Sequence, residues 1–183
     1  MIGGFLFIFV ILVFLTCGLR KNITYSTVNR VDDGLKGAVL SGATADLKAY
    51  GLNHDIVVTD TDGSYARFLD CFKTNLGLAD DFSAPQSSVI SSNITIDEYT
   101  IYNVRGNDIE IVSYSSNGVK SVQTGTVGSV ETPNHVKVTT STIYSAITFS
   151  VHGLVSETSF LGETIGTDDL SIHRDSCVDI ATN

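Results

Sequence analysis

The chain has 183 residues, a net charge of −9 and twenty acidic side chains against eleven basic ones. That length allows one soluble domain of about 130 residues behind an N-terminal element, enough to bury a core. The acidic balance, with no basic patch and no aromatic-basic interleaving, argues against a nucleic-acid partner.

The first element is an apolar run, Ile2 to Leu19, with no charged residue. At about 1.5 Å per residue a helix over it spans roughly 27 Å, enough for a bilayer core. No basic residue precedes it, and Leu15-Thr16-Cys17-Gly18 is a poor cleavage site, so a retained helix is predicted over a secretory or lipoprotein signal. Phe5, Phe7, Phe9, Ile11 and Val13 are its predicted membrane and packing residues. Arg20 and Lys21 follow directly, and the positive-inside rule places them in the cytoplasm. The remainder is acidic and rich in Ser, Thr, Asn and Gly, which suits an exported domain. A chain starting after a processed basic leader reconciles the two.

From Ile23 to Ala49 the spacing stays helical. Val28, Val31, Leu35, Ala38, Gly42, Ala45 and Ala49 recur at alternating three and four. The stripe becomes small as it proceeds, and small residues let helices approach closely. It is predicted to pack against its own domain, sister helices or both. One helix to about Tyr50 is expected, giving domains of 1–50 and 51–183.

Asp55 to Thr59 reads as a short strand. Asp60-Thr61-Asp62-Gly63 caps a helix with Tyr65, Phe68, Leu69, Phe72 and Leu76 on its apolar face and Gly77 at its end. The same Asp-x-Asp-Gly hints at a calcium loop, but Val58 and Leu69 stand where an EF-hand needs acids. Asn93 to Asn103 reads as a strand with a bulge near Glu98. Arg105-Gly106-Asn107-Asp108 is a hairpin turn, Ile109 to Tyr114 returns, and Ser116-Asn117-Gly118 turns again. Val119 to Val130 is a strand or loop, Val136 to Val151 a strand pair or bent strand, and Leu170 to Ile180 a last strand. The fold class is α+β: a long N-terminal helix, membrane-spanning and then amphipathic, followed by one short helix and a mainly antiparallel sheet.

Motifs for chemistry are absent from the sequence. No nucleophile elbow, Walker loop or dinucleotide fingerprint occurs. His54, His135, His152 and His173 have no metal-ligand spacing. No catalytic residue, metal or cofactor is expected. Cys71 and Cys177 are either a disulfide pair of an exported domain or two buried thiols.

Several stretches resemble one family. They are Phe5 to Tyr50, Ser64-Tyr65-Ala66-Arg67-Phe68 through Asn75-Leu76-Gly77-Leu78, Ile96 to Asn103, and His135 to Gly153. The layout is similar to the type IV pilins and pseudopilins, most of all to the TadE-like minor pilins of tight-adherence (Tad) pili. Phe5 stands where such subunits usually carry a glutamate. The resemblance implies a structural, non-enzymatic subunit of a cell-surface adhesion filament, anchored in membrane lipid before assembling with itself or other pilin-like chains. The alternative is a bitopic, membrane-anchored module that binds an extracellular ligand. A membrane-anchored hydrolase is a third, weaker reading.

Overall fold

The computed structural model describes residues 2–86, 88–153, 158–160, 163–165 and 169–180. The side chains at positions 2, 3, 5, 6, 9, 10 and 158–165 lie outside that description. The protein is α+β. Helix α1 runs unbroken over Ile2–Gly42, followed by α2 (Leu47–Asn53) and α3 (Thr61–Leu76). Five strands, β1 (Thr95–Arg105), β2 (Asp108–Ser115), β3 (Lys120–Thr126), β4 (Thr142–Val151) and β7 (Leu170–Asp179), form one antiparallel sheet in the order β3-β2-β1-β4-β7. Strands β5 (Thr158–Phe160) and β6 (Glu163–Ile165) form a separate hairpin.

Three expectations are corrected. The first helix stops at Gly42, not near Tyr50, and two further helices follow it, not one. The stop has a local cause. Asp46 caps α2 by accepting from the Lys48 and Ala49 amides at 2.8 and 3.2 Å, and its own amide donates to the Val57 carbonyl at 2.8 Å. The backbone around Asp46 is therefore committed elsewhere and cannot continue α1.

Asp55 to Thr59 is not a strand. Val57 and Val58 are fully buried, and the Asn103 side chain takes the place of a neighbouring strand for Val58. Its amide oxygen accepts from the Val58 N–H at 2.8 Å and its NH₂ donates to the Val58 carbonyl at 2.9 Å.

The late strand begins at Thr142, not Val136. Residues 127–140 fold across the outer face of the sheet, where Val138 closes a small cluster with Tyr102, Ile109, Tyr144 and Ala146. Burial raises the Tyr144 hydroxyl to about 12.

Other local signals are realised. Asp60 caps α3 through the Gly63 amide at 3.0 Å, and Gly77 ends it in the left-handed region at φ 68°. Asp62 accepts from the Tyr114 hydroxyl at 2.6 Å and the Lys120 ammonium at 2.9 Å, tying α3 to the β2–β3 hairpin. The acidic loop is thus a cap and a brace. The β1–β2 register closes on Arg105 opposite Asp108, with Gly106 at φ 61° in the two-residue turn. The register of β1 against β4 shifts between Ile96 and Glu98, which is the expected bulge.

Helices α1 and α3 cover the other face of the sheet. The core there joins Val31, Leu35, Ala38 and Val39 of α1 to Phe68 and Phe72 of α3 and to Tyr99, Ile101, Ile143, Ile147 and Phe149. Phe68 and Tyr99 rings lie 4.6 Å apart, and Tyr65 stacks on Tyr114 at 4.3 Å. Each fully buried aromatic or Leu side chain contributes roughly 1.5–3 kcal/mol.

Candidate anchoring and assembly surface

The two groups of predicted helix residues occupy opposite environments. Phe7, Ile8, Ile11, Leu12, Val13, Phe14, Leu15 and Leu19 are exposed, and at 3.6 residues per turn they surround the helix axis. No other part of the described chain covers them. Side chains of Phe5 and Phe9 lie outside the described residues. The Thr16 hydroxyl is satisfied internally, donating to the Leu12 and Val13 carbonyls at 2.9 Å each. Among the described residues, no helix is long and apolar enough to cross a membrane. The apolar run itself includes the six positions near its start whose side chains fall outside that description.

The amphipathic stripe is buried against its own chain from Val28 to Gly42, whereas Ala45 and Ala49, predicted to continue it, lie beyond α1 and are half-buried. Val28, Val31, Leu35 and Ala38 are at most 7% exposed. The Ser64 hydroxyl donates to the Gly42 carbonyl at 2.7 Å and lies 2.7 Å from the Tyr99 hydroxyl. A side chain at Gly42 would collide with that Tyr99 hydroxyl, and one at Gly34 would press on Leu76. The small residues therefore serve the approach of α3 and the sheet to α1. Burial also raises the Tyr99 hydroxyl to about 12, so it stays protonated and able to donate.

Of the two alternatives for Cys71 and Cys177, the structure holds free thiols, both half-buried, and Cys17 is free as well. Cys71 lies on α3 and packs against the helix-side core. Its sulfur is 3.8 Å from the Gly37 carbonyl. Cys177 packs with the outer cluster on the far face of the sheet. The sheet stands between them, and burial pushes the Cys177 thiol up, away from its reactive form.

Between the two halves of α1 is a neck that the sequence reading did not identify. Arg20 and Lys21 sit there, and Lys21 lies over the Tyr25 ring at 5.8 Å from its centroid. A groove of about 780 Å³ runs from this turn to residues 151–153 and the start of β7. Its lining comes from three distant segments, so no local motif could reveal it.

The histidines are dispersed. His54 and His135 hold positive φ in turns, His152 lies 3.4 Å from Asp169, and His173 lies 3.3 Å from Asp97. Among the described residues, no three His, Cys, Asp or Glu side chains are grouped to hold a metal ion. The fold and surface define a small α+β head on a projecting apolar helix. No protein-family model, curated protein or solved structure matches the chain.

Proposed function

We propose that this protein is a non-enzymatic structural subunit of a type IV or Tad-like surface filament, similar to the TadE-like minor pilins. The first half of α1 holds it in a membrane before assembly and packs among sister helices afterwards. The observation that carries this reading is the single helix Ile2–Gly42, exposed and apolar at its start and built into the head at its end. An exposed apolar surface of this extent needs a partner, either lipid or protein. At about 25 cal/mol per Å² of apolar area, covering even half of it is worth many kcal/mol before entropy costs. The acidic head then faces solvent on the outer side.

The test is to shear surface material from producing cells, image it for filaments, and probe them for this chain. Filaments containing the chain support the reading. A chain that stays monomeric in the membrane fraction and never enters sheared material overturns it in favour of the bitopic binding module. Recovery entirely in the soluble cell fraction overturns both.

A further inference from the structure

Strands β3 and β7 are the two edges of the sheet, and they differ in character. β7 carries His173, Arg174, Asp175 and Asp179, and charges on an edge discourage further pairing. β3 carries one charge, Lys120, whose ammonium donates to Asp62 and to the Thr61 hydroxyl at 2.9 and 2.8 Å. The strand has no proline and its register has no bulge. Among the described residues, only β2 pairs with it.

The β2–β3 ladder fixes which backbone groups point outward. The Ser115 N–H donates to the Val119 carbonyl at 3.1 Å, and the Val127 N–H to the Asn107 carbonyl at 3.0 Å. Odd-numbered residues of β3 therefore bond to β2, and the N–H and C=O groups of Lys120, Val122 and Thr124 face away from it. The side chains add a second pattern. Val178, Ile143, Ile101, Val112 and Val122 lie in register, one on each strand in turn. Ile143, Ile101 and Val112 are buried, and this apolar row ends at Val122, 57% exposed.

We infer that β3 is a contact between two copies of this chain, pairing antiparallel with its counterpart about a two-fold axis at Val122. Val122 then meets Val122 of the second copy, and the apolar row runs on from one sheet into the other. Lys120 falls opposite Thr124, so no like charges face each other. About six backbone hydrogen bonds form from the outward groups. The axis also sets direction. The neck of α1 and the start of β7 line one groove, and β7, β1 and β3 run the same way. Reversing β3 reverses α1, so the two stalks point in opposite directions. The contact therefore joins copies on facing surfaces, not neighbours in one membrane. That last step rests on the anchoring half of the proposed function, and the pairing itself does not.

The experiment uses the full chain in detergent and then in phosphatidylcholine vesicles. Sedimentation should show a dimer. Val122→Cys should form a disulfide between copies under mild oxidant, above the level that the native cysteines give in the parent. Thr124→Cys should not, because the register sets the two Thr124 Cα atoms about 14 Å apart. Val122→Pro removes an outward donor that β2 does not use, and should weaken the dimer about thirtyfold. Val122→Lys places two ammonium groups face to face and should weaken it without touching the backbone. Head melting at the parent value shows that each variant is folded. Vesicle clustering, read as turbidity, should be lost in Val122→Lys. A monomeric parent, a dimer unchanged in Val122→Lys, or equal cross-linking of Val122→Cys and Thr124→Cys overturns the pairing and leaves anchoring, read by vesicle flotation, standing. Cross-linking specific to Val122→Cys without flotation overturns anchoring and leaves the pairing. Specific cross-linking on floated vesicles that do not cluster overturns the opposed arrangement.

Discussion

The two halves of α1 share one backbone and have opposite relations to the rest of the chain. Leu12 and Leu35 are both leucines on the same helix, yet Leu12 is 55% exposed and Leu35 is fully buried. The difference follows from what comes later in sequence. Helix α3 and strands β4 and β7 reach the C-terminal half of α1 and stop there. Apolar character alone therefore does not say which half of a long helix belongs to the domain core. Small residues do mark it, because Gly34 and Gly42 sit where α3 and the sheet come closest.

The sharpest break in this comparison is a charge in each half. Leu35→Asp buries a carboxylate in the core and should cost more than about 4–5 kcal/mol, unfolding the head in a denaturant titration. Leu12→Asp should leave head melting unchanged and, under the proposed anchoring role, abolish recovery in the membrane fraction. Equal effects of the two on head stability would erase the distinction between the halves. Next in size, Phe68→Ala should destabilise the head by about 3–5 kcal/mol, since Phe68 is fully buried where α3 meets the sheet. A thermal melt checks it.

Smaller effects follow at the glycines. Gly42→Ala should cost about 1–3 kcal/mol by forcing Tyr99 and Ser64 apart. Gly18→Ala meets nothing within 4 Å, so it should leave head stability alone and raise helix content in the stalk. The smallest effect is electrostatic. Hydrogen bonds from Tyr114, then Lys120, hold the Asp62 carboxyl below its ordinary value. A depressed folded-state pKa gives stability that is present above the unfolded value, about 3.9, and is lost as pH falls through the folded one. Asp62→Asn should flatten that acid limb of a stability-versus-pH curve, measured by urea titration.

Much of the head was legible because its signals are local. The Asp60 cap, the Gly77 stop and the Gly106 and Gly118 turns each follow from a few adjacent residues. The misreadings share another cause. Val57-Val58 has strand composition, but its partner is a side chain 45 residues away. The periodicity of α1 continues past Gly42, but the break is set by the Asp46 amide bonding to Val57. The two alternatives left open for Cys71 and Cys177 are likewise decided by distant packing, because strand parity puts Cys177 on the outer face. The neck groove joins segments some 150 positions apart, which no window along the chain contains.

The packing of α1 against β7 also sets a timetable. The stripe from Val28 to Ala38 is made early, whereas its neighbour β7 and the core residue Ile180 come far later in the chain. At about 5–20 residues per second, roughly seven to thirty seconds of synthesis separate the two. During that interval α3 covers one side of the stripe while the side that meets β7 stays open, and its closure depends on contacts of very long sequence separation. A ribosome that stalls before Leu170 would leave the β7-facing side of the stripe open in addition to the apolar run. Cells producing this protein would therefore gain from a chaperone that shields the open side of residues 28–42 until β7 arrives.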